Sequence, residues 1–232
     1  MLSAYAKVLS SSEIWLRFPG YNAEEINGDC HYLLSIYLKG CVIRSAFDSK
    51  VIAAAETEMW RAYYSGDKKT LASQLLTLER TQFELTWGDS ALVTKDLAAA
   101  AMKFAESRSG YEEEVLPKLI AAYTRIKAAK GMDFDPETAA RAELNWWIAR
   151  RHPERNSVES VGNAIGALYG VLYGGMKPEF QRAGVLRAEA AALRDAGQEN
   201  ADWKKIEELL NESYDALVAG LQATNRLTGA SR

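Results

Sequence analysis

Apolar residues recur with a helical period along almost the whole chain, and no segment alternates in the way a half-buried strand requires. That periodicity constrains the fold more than any motif, because it leaves helices as the only elements available to bury the core. Punctuation divides the pattern. Residues 22–47 read as one helix, and Asp48 caps the next, which runs to Tyr64. Ser65-Gly66-Asp67 makes a turn, with Asp67 capping a helix to about Trp87, and Ser90 caps residues 91–106. Gly110 precedes a helix over residues 114–130 that tolerates Pro117 only in its first turn, and Gly131 ends it. Asp135-Pro136 opens a helix to Arg151, and His152-Pro153 closes it. Asn156 and Glu159 have capping-box spacing for a helix to Gly174. Pro178 opens another that stops at Gly197, and Asp202 caps the last, to about Ala223. With a short N-terminal piece this predicts an all-α, single compact array of nine or ten helices, one domain over residues 1–223, with residues 224–232 a frayed tail.

Size and composition agree with one core. A chain of 232 residues buries roughly 70–75% of its unfolded surface, and 48% hydrophobic residues with six Trp, eleven Tyr and six Phe fill it. A net charge of −3 argues against a general nucleic-acid partner. No run approaches the length of a membrane span, and the first residues lack the apolar core of a secretory signal, so the expected location is the cytoplasm. Cys30 and Cys41, about 16 Å apart along one helical pattern, cannot bridge each other there and read as small buried hydrophobes.

The motif search is mostly negative. There is no phosphate loop, dinucleotide fingerprint, zinc spacing or HExxH, and His31 and His152, the two histidines, have no Glu three residues before them. No metal site and no particular cofactor is expected from these patterns.

Helical wheels supply the candidates. Residues 91–106, 115–129 and 203–221 separate apolar from polar cleanly, and so does 178–196, with Arg187 and Arg194 at the edge of its apolar face in the position from which arginines snorkel. Four helices carry polar groups inside the apolar arc: Arg44 in 23–46, Glu56 in 48–64, Glu79 and Gln82 in 68–87, and Glu143 and Arg150 in 136–151 beside Trp146 and Trp147. Glu56 and Glu79 lie about ten and twelve residues from the turn that joins their helices. An antiparallel pair therefore sets them within about 3 Å of the same level. Like charges so placed need a cation, a metal or a shared proton; Arg44 and Arg150 are the expected cations.

The helix over 157–174 is unusual in another way. Gly162, Gly166, Gly170 and Gly174 recur every four residues, interleaved with Tyr169 and Tyr173. Each interior glycine costs about 1 kcal/mol relative to alanine, so close approach of a neighbouring helix, or a flat ligand on the bare backbone, should compensate.

These features predict an interior Glu/Arg/aromatic pocket that binds, or transforms, a small anionic or partly apolar organic molecule. Glu56 and Glu79 would be the acid–base pair, with Arg44, Gln82, Glu143, Trp146, Trp147, Arg150, Tyr169 and Tyr173 lining the site. The alternative is a self-associating structural or interaction protein, a homo-oligomer whose buried charges form only an ion-pair network. A cavity of several hundred cubic ångströms at Glu56, Glu79 and Arg150 would favour the first, and solid packing the second.

Overall fold

The structure, a computed structural model, describes residues 47–229, with the backbone alone for residue 68 and residues 224–229. Every regular element among the described residues is helical. They are α1 (Ser49–Ser65), α2 (Lys68–Gln82), α3 (Trp87–Glu106), the single turn α4 (Tyr111–Glu114), α5 (Leu116–Lys130), α6 (Pro136–Arg151), α7 (Val158–Tyr173), α8 (Pro178–Gly197) and α9 (Trp203–Gly229), with a 3-10 turn at Gln198–Asn200. None of these helices is long and apolar enough to cross a membrane. The N-terminal piece and the helix expected over residues 22–47, with Cys30, His31, Cys41 and Arg44, lie outside the described residues.

Local chemistry explains the boundaries. The Asp48 carboxylate accepts from Lys50 N and Val51 N, Asp67 from Lys69 N and Thr70 N, Asp135 from Thr138 N, and Asp202 from Lys205 N. Gly66 and Gly131, at φ 75° and 62°, end their helices in the left-handed conformation that glycine adopts without penalty.

Four boundaries differ from the sequence reading. The second helix stops at Gln82 rather than Trp87, because the chain turns through Glu84 at φ 48°. Thr86 then starts α3, four residues ahead of the expected start. Its hydroxyl accepts from Asp89 N and donates to the Asp89 carboxylate, so that Ser90 falls inside the helix and bonds Trp87 O. Ser157, not Asn156, caps α7 by accepting from Ser160 N. At the C-terminus α9 continues to Gly229, six residues past the expected stop at 223.

Neighbouring helices in sequence are neighbours in space. α1 packs on α2, α2 on α3, α3 on α5, α5 on α6, α6 on α7, α7 on α8 and α8 on α9, and α9 returns to α1, closing a ring of contacts. Each member buries one apolar stripe against the next. Met59 and Trp60 of α1, Phe104 of α3, Leu119 of α5, Trp147 of α6 and Phe180 of α8 are among the buried side chains.

The α7–α8 contact is the tightest. A Cβ on Gly184 would sit 2.1 Å from Gly162 O and 2.7 Å from Gly166 N, and one on Gly162 would sit 2.6 Å from Val185 Cα. Backbone meets backbone across this crossing, which leaves no room there for a flat ligand. The glycines of α7 and α8 thus compensate their helix-propensity cost by close packing.

Candidate functional site

Glu56 on α1 and Glu79 on α2 both face the interior, at 0% and 7% exposure. Their environments then diverge. Glu56 Oε1 accepts from Arg187 Nε at 3.0 Å and from Nη2 at 2.6 Å, and Glu56 Oε2 accepts from the Tyr214 hydroxyl at 2.6 Å. Arg187 comes from α8 and Tyr214 from α9, so three helices converge on one carboxylate. Burial works against the guanidinium charge, but the Glu56 carboxylate, its hydrogen bond and the Tyr169 and Tyr214 hydroxyls together outweigh it and hold the Arg187 pKa well above its ordinary value. The guanidinium also lies 5.7 Å from the centre of the Trp146 ring. Glu56, Arg187 and Tyr214 therefore make a neutralised, hydrogen-bonded unit.

Glu143 on α6 is held by neutral donors. Its Oε2 accepts from the Tyr123 hydroxyl at 3.0 Å and its Oε1 from Trp147 Nε1 at 2.7 Å. Burial pushes its pKa up; the Trp146 indole, the Arg187 charge and these two donors pull the other way. The same contact raises Tyr123, chiefly by burial and then by the Glu143 charge.

Glu79 differs from both. Its Oε2 is buried and accepts no hydrogen bond. Burial first, then the Glu143 carboxylate, push its pKa from 4.5 to about 8; Arg187 opposes this and Glu56 adds a little. Glu79 thus favours its protonated form at neutral pH, beside the second carboxyl group of Glu143.

A cavity of about 70 Å³ lies against Glu79, Glu143 and Arg187, walled by Tyr123, Trp146, Trp147 and Tyr169, with Gln82 also on its surface. Side chains of α1, α2, α3, α5, α6, α7 and α8 all reach it. That is room for about five waters, at roughly 10–15 Å³ each on this measure, and well short of the ~300 Å³ at which drug-sized pockets begin.

Of the expected residues, Glu79, Gln82, Glu143, Trp146, Trp147 and Tyr169 line this cavity. Glu56 lies behind Arg187, joined to it but not lining the space. Tyr173 stands outside the cavity, with its hydroxyl buried toward Gln82 and burial raising its pKa.

Arg150 turns away to an ion pair with Asp195 at 2.6 Å. Among the described residues the cation that meets Glu56 is Arg187, which corrects the expectation of Arg150; Arg44 lies outside them. Arg187 sits one turn-edge from the apolar arc of its helix, and its stem could equally have led the head outward; only the position of Glu56 on another helix decides it. Tyr123 and Tyr214 were equally hidden, since tyrosines in an apolar arc read as core and their hydroxyls leave no periodic trace.

Among the described residues no group of three or more His, Cys, Asp or Glu is placed to hold a metal ion. No protein-family model matches the chain, and no curated protein and no solved structure is significantly similar to it.

Proposed function

We propose that this protein binds a small organic molecule in the cavity at Glu79, Glu143 and Arg187, and that Glu79 exchanges a proton with it. The observation that carries the reading is Glu79 Oε2, a buried carboxyl oxygen without a hydrogen bond, on a side chain that borders open space. Native interiors satisfy the great majority of buried polar atoms, and an exception at a cavity with a second titrating group is what a proton-transfer site requires. A carboxylic acid whose pKa stands near 8 is also matched to proton transfer around neutral pH. The volume limits the occupant, or the part of it that enters, to a few non-hydrogen atoms.

The competing view, in which the charges are only a structural network, is favoured for one group. Glu56 has both oxygens satisfied and its charge neutralised by Arg187. Glu56 is therefore assigned here to scaffolding, and the acid–base role to Glu79 alone.

A ligand-observed NMR screen of small fragments, spanning acids, neutral alcohols and amides, and amines, tests the proposal. Fragments of one charge class should bind the wild-type protein and lose that binding in Glu79→Gln. If no fragment of any class binds, or if those that bind do so equally in Glu79→Gln, the proposal fails.

A further inference from the structure

Resting on that reading, we propose that the cavity takes the ammonium head of a small primary amine, held between Glu79 and Glu143. The argument is a count of charges and of hydrogen-bonding capacity. Three carboxyl groups and one guanidinium meet in this interior. The guanidinium is already committed, since Nε and Nη2 both donate to Glu56 Oε1. Glu79 and Glu143 are left without a cation of their own among the described residues.

The hydrogen-bond inventory has the same sense. Two of the donors that face this region, the Tyr123 hydroxyl and the Trp147 indole, are spent on Glu143, while Trp146 Nε1 is buried without a hydrogen-bond partner. Most of what remains unused on the two glutamates is acceptor capacity: Glu79 Oε2 accepts nothing, and each Glu143 oxygen has a second lone pair. An anion would add to the excess of carboxyl groups over cations at this cavity, whereas an ammonium brings three donors and no acceptor and offsets that excess. The walls suit a cation as well, because Trp146, Trp147 and Tyr169 present aromatic surface to the cavity. This departs from the anionic or partly apolar molecule expected from the sequence.

Proton balance follows from the state of Glu79. Free protein holds a proton on this group, favoured by burial and by Glu143. The groups that face it are Glu143 of α6, Glu56 of α1 and Arg187 of α8, together with the Tyr123 and Tyr173 hydroxyls of α5 and α7. When the ammonium enters, the Glu79 proton leaves to solvent and an ammonium–carboxylate contact takes its place. One proton is released per amine bound, and the charge of the interior is unchanged. A head group with a one- or two-carbon stem fills the space.

Ethylammonium chloride is the probe, titrated by saturation-transfer NMR and by calorimetry in two buffers of different ionisation enthalpy, at constant ionic strength. For about three non-hydrogen atoms the best attainable affinity is about millimolar. The dissociation constant should fall about tenfold from pH 6 to 7 and several-fold more to pH 8, then level, with close to one proton released at pH 7. Glu79→Gln should weaken binding at least tenfold and abolish the pH dependence. Sodium acetate and ethanol should not bind, and potassium chloride should not displace the amine. Binding of acetate or ethanol in place of the amine overturns the proposal while leaving a small-molecule site. Displacement by potassium, or binding with no proton release, also overturns it. Should Glu79→Gln fail to fold, the pH profile and proton count of the wild-type protein decide the matter alone. Silence from every fragment class removes the small-molecule site itself.

Discussion

Glu79→Gln should remove a fall of stability with rising pH, so that the variant is the less stable protein in acid and the more stable one at pH 8. The unfolded carboxyl group ionises near 4.5, and in the folded protein it does so near 8. Between those values the folded state keeps a proton that the unfolded state has lost, so stability falls as pH rises through this window and is flat above it. At about 1.36 kcal/mol per pH unit, the fall reaches up to about 5 kcal/mol by pH 8, if Glu79 acts alone. Glutamine carries no such charge. It does bury an amide whose donors face acceptors only imperfectly, which costs about 1–3 kcal/mol at any pH.

The variant should therefore be less stable than the wild type at pH 4 by about that amount and more stable at pH 8 by about 2–4 kcal/mol, the difference between the two effects. The curves cross between about pH 5 and 7. Urea unfolding followed by circular dichroism at half-unit pH steps measures this directly, because the slope in urea checks that both proteins unfold as one unit. Parallel stability curves for the two proteins from pH 5 to 8 would show that Glu79 is not held protonated by its surroundings, and the acid–base assignment would go with it.

Glu56→Gln should behave oppositely, losing about 3–5 kcal/mol at pH 7 in the same urea assay, because Arg187 is left mostly buried with its counter-charge removed. Tyr214→Phe removes the 2.6 Å hydrogen bond to Glu56 Oε2 and should cost about 1.5–3 kcal/mol, with no change in amine binding by NMR. Gly184→Ala places a methyl group 2.1 Å from Gly162 O and should lower stability by about 1–3 kcal/mol or more despite the better helix propensity of alanine, whereas Gly88→Ala, whose nearest neighbour is 3.9 Å away, should be neutral or slightly stabilising in a thermal melt.

Helix class and most helix starts were legible because they rest on local chemistry. Asp48, Asp67, Asp135 and Asp202 each satisfy backbone donors two or three residues ahead, a relation written in sequence spacing. Between Gln82 and Thr86 two local signals competed. The apolar arc runs on through Phe83 and Leu85, while Thr86 and Asp89 offer a reciprocal cap. The cap prevailed, Phe83 and Leu85 reached the core from the connection, and Trp87 was left 60% exposed. Periodicity reports which residues seek the core and not whether the backbone between them remains helical.

The site was legible only as far as phase on each helix carries. Glu56, Glu79 and Glu143 violate the apolar arcs of three helices, and that violation survives folding because a helix cannot hide its own period. Pairing between helices is different information. Glu56 and Arg187 are 131 residues apart, and their bond exists because α9 returns to α1 and carries α8 beside it. Without that closure Arg187 would have no reason to turn inward, and with it Glu56 is neutralised. The consequence for chemistry is direct: once the ring of helices gives the arginine to Glu56, Glu79 and Glu143 must share what remains. Burial and mutual repulsion then leave a proton on the carboxyl that has no hydrogen-bond donor. The functional asymmetry between two glutamates that look equivalent in sequence thus comes from topology, and the residue to test is the one the topology leaves unpaired.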